Sequence, residues 1–252
     1  MIKLSVVIIT FNEEQNIGRC IRSVQEIADE IIVVDSFSTD GTEDICKKLG
    51  AHFIRNAFEG YIEQKNFAAT HTSFNHILSL DADEELSEKL KVSIRDVKET
   101  WMHESYSMNR LSNYCGKWIR HGSWYPDRKI RLFEKGKGKW GGHNPHDKFI
   151  PANENDTGFL KGDLHHYSYY SIEGHVAQAN KFSTIGAKSA YDAGKGSGIL
   201  KIIFKSGFKF LRDFILRAGF LDGYYGFVIS KISAHETFLK YVKLRELEKK
   251  GK

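Results

Sequence analysis

Several features that define other protein classes are missing from this 252-residue sequence. It has only three cysteines, an odd number, spread far apart and without a Cys-x-x-Cys pair. This argues against a disulfide framework or a zinc site and favours a reducing cytoplasm. No uninterrupted apolar stretch reaches transmembrane length. The apolar run Leu4–Thr10 is too short for a signal peptide and is typical of a first strand.

The glycine patterns of the common nucleotide-binding loops are also absent. The loop after the first strand, Phe11–Gly18, lacks Gly-x-Gly-x-x-Gly, and no P-loop occurs. NAD binding and P-loop chemistry are therefore disfavoured.

Charge is divided unevenly along the chain, although the net charge is only +5. Residues 1–100 carry 11 basic and 18 acidic side chains, or −7, and residues 101–252 carry the other 26 basic and 14 acidic, or +12. A basic C-terminal half indicates a negatively charged partner such as a membrane surface, a phosphorylated substrate or nucleic acid.

The first third of the sequence alternates between strand and helix patterns. Predicted strands cover Ser5–Thr10, Glu30–Asp35, His52–Arg55 and Ile77–Leu80, and predicted helices cover Ile17–Val24, Thr42–Gly50 and Tyr61–Thr70. This order predicts an α/β fold with a mostly parallel sheet flanked by helices.

Acidic residues follow two of these strands, at Asp35 and at Asp81–Asp83. Ligands of open α/β sheets bind beyond the carboxyl ends of the strands, so both acids should open onto one crevice. Two carboxylates separated by one residue can approach a hard cation that also holds phosphate oxygens. In the alternative interpretation, this acidic segment is a solvated loop that caps the next helix, with Glu84, Glu85 and Glu88 near its N-terminus.

Three segments carry a resemblance to a known family: Ser5–Glu13 (SVVIITFNE), Ile31–Thr42 (IIVVDSFSTDGT) and Leu78–Glu84 (LSLDADE). They resemble the signature segments of glycosyltransferase family 2, which has the GT-A (Rossmann-like) fold. The resemblance implies an inverting transferase that uses a UDP-sugar donor and Mn²⁺ or Mg²⁺. It implies the following site residues: Asp35 toward the uracil, Thr10 and Glu13 lining the nucleotide pocket, Lys65 near the diphosphate, and Asp81, Ala82 and Asp83 as the metal-binding DXD motif.

Later segments resemble the bacterial lipopolysaccharide-core glucosyltransferase subgroup: Trp124–Phe133 (WYPDRKIRLF), Gly141–Asp147 (GGHNPHD) and Leu164–Tyr169 (LHHYSY). Asp147 stands where the subgroup usually has a Glu, and we predict that it is the catalytic base; a structural role for it is the alternative. His166 is the predicted third metal ligand. His165 is the second candidate for this ligand, and His121, His143 and His146 are further candidates.

Residues 199–217 predict a cationic amphipathic helix, with Lys201, Lys205, Lys209 and Arg212 along its polar face. Such a helix can lie on an anionic membrane, or it can pack on the protein with a solvated basic face. We expect a GT-A catalytic domain over 1–193, with a nucleotide-sugar half (1–100) and an acceptor half (101–193), and a C-terminal helical, membrane-associating appendage over 194–252.

The predicted function is transfer of glucose from UDP-glucose to a lipid-linked saccharide of the lipopolysaccharide core. The predicted location is the cytoplasm, peripherally attached to the inner face of the cytoplasmic membrane, and no nucleic-acid partner is expected. Alternatives are an enzyme that glycosylates polyprenyl phosphate or another cell-envelope glycan, a phosphatase of the haloacid dehalogenase type, and a non-catalytic membrane-binding protein.

Overall fold

Strand β1, Leu4–Thr10, lies inside the main sheet, and all seven of its residues are buried. In the computed structural model, which describes residues 1–143 and 146–250, β1 pairs in parallel with two neighbours. These are β2, Glu30–Asp35, and β4, His76–Asp81; β3, His52–Arg55, pairs in parallel with β2. A run of β-branched residues suits this position, because a strand with neighbours on both sides is covered on both faces.

Helices connect these strands as the sequence predicts: α1 is Ile17–Val24, α2 is Thr42–Lys48 and α3 is Tyr61–Thr70. Helix α2 ends just before Gly50, whose φ of +77° is the left-handed conformation that favours glycine after a helix. The short loops leave β1, β2 and β4 ending at the same edge of the sheet, where Thr10 is paired with Asp35 and Ile9 with Asp81.

The remaining strands make the sheet mixed. The further elements are β5 (Glu84–Leu86), α4 (Glu88–Glu99), β6 (Ser105–Tyr114), β7 (Lys117–Trp118), β8 (Asp127–Glu134), β9 (Gly138–His143), β10 (His146–Pro151) and β11 (Thr157–Tyr169). The strand order is β3-β2-β1-β4-β8-β6-β11-β5, with β7 on β6, and β9 and β10 form a separate hairpin. The predicted α/β class is confirmed, and the first four strands pair in parallel, but β8 is antiparallel to β4 and to β6, and β11 is antiparallel to β5.

Alternating side chains of β1 fill two separate apolar clusters. Leu4, Val6 and Ile8 pack on one face with residues of α1 and α4. Val7 and Ile9 pack on the other face with residues of α3, β8 and the β9–β10 hairpin. This is the two-residue period of a strand, and it places α3 and the hairpin on the same side of the sheet.

The chain divides into two compact units, one of residues 1–110 and 127–166 and the other of residues 111–126 and 167–252. The second unit contains α5 (Ile172–Asp192), α6 (Ile199–Phe210), a π-helical segment (Leu211–Leu216), a 3₁₀ turn (Gly219–Asp222) and α7 (Gly223–Lys250). Helices α6 and α7 lie within the predicted helical appendage, residues 194–252. The functional division into 1–193 and 194–252 remains a prediction.

Within the second unit, an aromatic cluster surrounds Tyr114, whose hydroxyl lies 3.0 Å from Nδ1 of His175. Burial lowers the pKa of His175 to about 4, because no opposite charge compensates the lost hydration of an imidazolium there. Among the described residues, no helix combines the length and apolar character needed to cross a membrane.

The predicted basic stripe of residues 199–217 is partly used inside the second unit. The side chains of Lys209 and Arg212 lie 2.7 and 2.9 Å from the carboxylate of the buried Asp213. Lys201 donates a hydrogen bond to the carbonyl of Gly196. These three cations are therefore less available to an outside partner than the helical pattern alone predicts.

Candidate active site

Lys65 joins two carboxylates that are far apart in sequence. Its ammonium lies 2.9 Å from Oδ1 of Asp81, at the end of β4, and 2.7 Å from Oδ2 of Asp147, in β10. The lysine is only 2% exposed and lies 4.5 Å from the ring centroid of Trp140. Helix α3 and the hairpin pack on the same face of the sheet, which explains how the three side chains meet.

A second buried cation, Arg131 of β8, holds Asp81 from another side. Its Nη2 donates hydrogen bonds of 2.7 Å to Oδ2 of Asp81 and to Oε1 of Glu84. Glu84 also accepts a 3.0 Å hydrogen bond from the backbone N–H of Asp81. Burial alone would raise the pKa of Asp81, but Lys65 and Arg131 outweigh it and hold this pKa well below its usual range. Asp81 is therefore ionised at any physiological pH.

Asp83 and His166 form a separate pair. Strand β11 pairs with β5 so that His166 is opposite Glu84, and Nε2 of His166 lies 3.1 Å from Oδ2 of Asp83. His165 is opposite Glu85, and adjacent residues of a strand point to opposite faces, so His166 is the histidine on the Asp83 side.

One carboxylate and one imidazole are a donor set that suits a divalent cation, which would complete its coordination with phosphate oxygens or water. Asp83 and His166 would supply only part of the coordination shell of such a cation. Across residues 1–143 and 146–250, no three His, Cys, Asp or Glu side chains are gathered as a metal site. Of the competing histidines, His121 lies 3.1 Å from Asp222, and the side chains of His143 and His146 lie outside the described residues.

The ends of β1 and β2 present two buried polar side chains side by side. The hydroxyl of Thr10 is buried and has no hydrogen-bond partner within the described chain. Leaving such a group unpaired is costly, so this position favours a bound ligand. Asp35, opposite Thr10, accepts a 2.8 Å hydrogen bond from the backbone of Ser38 and another from its hydroxyl. Asp35 therefore also stabilises its own loop, which is a structural role that needs no ligand.

Glu13 and Ala82 complete the predicted donor residues. Burial raises the pKa of Glu13, against the lowering effect of its hydrogen bond from Asn16, and Asp83 and Asp40 raise it further. The N–H of Ala82 donates a 3.2 Å hydrogen bond to the carbonyl of Ile9, which fixes the turn between Asp81 and Asp83 against β1.

The next helix, α4, is capped by Ser87, whose Oγ accepts from the N–H of Leu90. The alternative interpretation of the Asp81–Asp83 segment as the cap of that helix is therefore wrong. Instead, the segment lies between β4 and β5 and supplies carboxylates to two different clusters.

A cavity of about 760 Å³ opens beside Lys65, Asp81 and Asp147 in the first unit. Its other lining residues are Ser107, Arg110, Arg128, Lys129, Ile130, Arg131, Trp140, Lys148, Phe149, Pro151, Glu154 and Thr157. The carboxylate predicted as the base thus shares a cavity with the first acid of the DXD motif.

Comparison with known proteins assigns the family. The sequence model of glycosyl transferase family 2 matches residues 5–149, which is more than half of the chain. The chain belongs to glycosyltransferase family 2. This membership confirms the predicted enzyme class and removes the phosphatase and the non-catalytic membrane-binding protein as alternatives.

Similar proteins cover nearly the whole of this family 2 glycosyltransferase. An uncharacterised glycosyltransferase of Rickettsia typhi is 36% identical over 100% of this chain and 90% of its own. The lipopolysaccharide core biosynthesis glycosyltransferase LpsC of Rhizobium meliloti is 28% identical over 96% of this chain and 91% of its own. The second relative is distant, but it extends beyond the family match into the C-terminal third.

Solved structures include a glucosyl-3-phosphoglycerate synthase from Mycobacterium tuberculosis in complex with Mn²⁺, UDP and glucosyl-3-phosphoglycerate. It is 24% identical, covers 44% of each chain and has a TM-score of 0.37. TarS of S. aureus has a TM-score of 0.45 at 16% identity and covers 72% of this chain and 39% of its own.

The glycosyltransferase site thus contains residues that sequence reasoning nominated and two that it missed. Lys65, Asp81 and Asp147 lie together, as do Asp83 and His166, and as do Thr10 and Asp35. The sequence patterns do not single out Arg131 and Glu84 as site residues, although both lie inside the segments that resemble the family. The sequence signal for them is their position: Arg131 lies between the apolar residues Ile130 and Leu132, and Glu84 directly follows the DXD motif.

Proposed function

We propose that this glycosyltransferase transfers glucose from UDP-glucose to a lipid-linked saccharide of the lipopolysaccharide core, with inversion at the anomeric carbon. The observation that carries the proposal is the bridge formed by Lys65 between Asp81 and Asp147. It brings the donor-side acid and the candidate base to one cavity, as a direct displacement needs. The similarity to LpsC supports the lipopolysaccharide core as the acceptor.

On the donor side, we assign the nucleoside to Thr10, Glu13 and Asp35, because a buried unpaired hydroxyl and a nearby carboxylate can bond to uracil and ribose. Asp83 and His166 would hold Mn²⁺ or Mg²⁺, with Asp81 adding negative charge nearby. When bound, the cation would stabilise the charge that develops on the departing diphosphate.

On the acceptor side, we assign the base to Asp147. The acceptor oxygen attacks C1 of glucose, the C1–O bond to the diphosphate breaks with its electron pair leaving on UDP, and the hydroxyl proton passes to Asp147. Lys65 donates a 2.7 Å hydrogen bond to this carboxylate, which holds it in position at the cavity. The same lysine lies against Asp81, where its ammonium can stabilise the negative charge of the leaving diphosphate.

We also propose that the second unit attaches to an anionic membrane. An apolar surface, called here the α6 surface, has eight large side chains with 47% to 70% of their area exposed: Leu200, Ile203, Phe204, Phe208, Leu211, Leu216, Leu221 and Tyr224. Clusters of this size on a soluble surface mark interaction sites, and the flanking lysines favour anionic lipid. Because Lys209 and Arg212 are paired with Asp213, apolar insertion should contribute more than charge.

The test is calorimetric titration of the full chain with UDP-glucose and UDP, with Mn²⁺ and with chelator, together with glucose transfer to core-truncated lipopolysaccharide. Asp83→Ala should abolish the Mn²⁺-dependent part of binding. Asp147→Asn should preserve binding and lower transfer about a hundredfold or more, the usual contribution of a general base. Asp44→Asn, an exposed acid of α2, is the matched control. Failure of wild type to bind either nucleotide would overturn the donor assignment, and full transfer by Asp147→Asn would overturn the base.

A further inference from the structure

The cavity beside Asp147 holds more positive than negative side chains. Six cations line it: Lys65, Arg110, Arg128, Lys129, Arg131 and Lys148. Among the residues that the structure describes, three acids line it, Asp81, Asp147 and Glu154. Such an excess in a concave site raises the local concentration of anions.

Internal ion pairs account for four of the six cations. Lys65 and Arg131 are held by the acids of the active site. Arg110 and Lys129 share one carboxylate, that of Asp127, at 2.8 and 3.1 Å. Arg110 also lies 3.7 Å from Glu84, so all four of these cations have carboxylate partners within the protein.

The other two cations, Arg128 and Lys148, have no carboxylate partner among the described residues. The guanidinium carbon of Arg128 lies 4.6 Å from the ring centroid of Phe159, a contact that leaves its donors available. Lys148 directly follows Asp147 on β10, and its side chain is exposed. Two cationic donors at one cavity, next to the base, are suited to a phosphate or a carboxylate.

We propose that this cavity binds an anionic group of the acceptor, a phosphate or a carboxylate, through Arg128 and Lys148. This inference rests on the proposed function, in which Asp147 must contact the acceptor hydroxyl. Asp147 lines the cavity together with Asp81, whereas Thr10, Asp35 and Asp83 do not, so we assign the part of the cavity around Asp147, Arg128 and Lys148 to the acceptor. The specificity that follows is for a charged saccharide over its neutral counterpart.

Arg128 and Lys148 could also bind the diphosphate of the donor. The experiment distinguishes an anion of the acceptor from the donor diphosphate. The full chain, saturated with UDP and Mg²⁺, is titrated with methyl phosphate and then with acetate. We expect one of these anions to bind while UDP is bound. In R128Q/K148Q its affinity should fall about tenfold or more, because two charge-assisted hydrogen bonds are lost, while UDP affinity stays within about twofold. The exposed Lys89→Gln, on α4, is the control and should change neither value.

Three results would overturn the inference. Wild type binds neither methyl phosphate nor acetate, the double variant binds the anion as tightly as wild type does, or UDP displaces the anion competitively. The last result would place the anion at the donor diphosphate site. If UDP itself fails to bind, the proposed function fails, and titration without UDP still shows whether Arg128 and Lys148 form an anion site. Matching circular dichroism spectra of the variant and wild type ensure that lost binding is not lost folding.

Discussion

Glu84→Gln should destabilise the first unit strongly, although it replaces one atom in a side chain that never contacts solvent. Glu84 is 1% exposed, and Arg131, its partner at 2.7 Å, is 3% exposed. The amide keeps the shape and one acceptor oxygen but removes the negative charge. Arg131 is left with Asp81 alone, and Asp81 is already shared with Lys65.

The magnitude follows from this partial compensation. Breaking a buried ion pair by removing one partner usually costs about 3–5 kcal/mol, and because Arg131 keeps Asp81 we expect the lower end, about 3 kcal/mol. That is about a hundredfold in the ratio of folded to unfolded protein. In a chain of this length it corresponds to a drop in melting temperature of about 6–12 °C.

The assay is urea unfolding at 25 °C and pH 7, followed by far-ultraviolet circular dichroism and by tryptophan fluorescence. Glu85→Gln is the matched control, because Glu85 is next in the chain, partly exposed and 3.7 Å from Arg19. A surface pair of this kind is worth less than about 1 kcal/mol. Arg131→Met and the double variant close a thermodynamic cycle, in which we expect a coupling of at least about 1 kcal/mol.

The reasoning is refuted if Glu84→Gln costs no more than Glu85→Gln, or if the cycle shows no coupling. Either result would mean that the ion pairs of Arg131 position the side chains of the site without increasing the free energy of unfolding. The pH dependence gives a second check. The pKa of folded Asp81 is depressed, so the stability it contributes is present above about pH 4, the value for an unfolded aspartate, and is lost as the pH falls further.

Two further predictions concern the second unit. Leu200→Ser with Phe204→Ser should weaken binding to anionic vesicles about a hundredfold or more, because each buried apolar side chain contributes about 1.5–3 kcal/mol, whereas Lys205→Gln should weaken it only about fivefold. Wild-type stability should fall by up to about 3 kcal/mol between pH 6.5 and 4, because the pKa of His175 is about 4 when folded and near 6.5 when unfolded; His175→Gln should remove this loss.

Each of these has its own contrary outcome. Vesicle sedimentation at low and high salt tests the first, and binding that is lost with Lys205→Gln but kept in the serine variant would mean that charge, and not apolar insertion, holds the protein on the vesicle. Denaturant titrations at several pH values test the second. An acid sensitivity that His175→Gln retains would have to arise from other groups of the unit.

The elements of the first third could be predicted closely because their signals are local. The predicted strands Glu30–Asp35 and His52–Arg55 and helices Ile17–Val24 and Tyr61–Thr70 have the same bounds in the structure. In each case an apolar run is interrupted by polar residues or glycine where the element ends. The placement of Asp35 and Asp81 at one edge also followed, since parallel strands of one sheet end together.

The partners within the site could not be predicted, because they depend on contacts between distant segments. Nothing near Lys65 in the sequence indicates Asp147, and the two meet only because α3 and the hairpin cover one face of the sheet. The helical pattern of residues 199–217 could not show that Asp213 takes up Lys209 and Arg212. A charge on a helix face is read from periodicity alone, whereas its pairing depends on neighbours along and across the helix.

The imidazole paired with Asp83 has a consequence for dissecting the protein. The family match ends at residue 149, but His166 is the last residue of the first unit and lies on β11, the strand that pairs with β5. A fragment cut at the family boundary would lose this imidazole and expose the edge of β5. A fragment ending at residue 166 would also need a linker in place of residues 111–126, which belong to the second unit. Minimal catalytic fragments should therefore be designed from the strand pairing and not from the boundary of the sequence match.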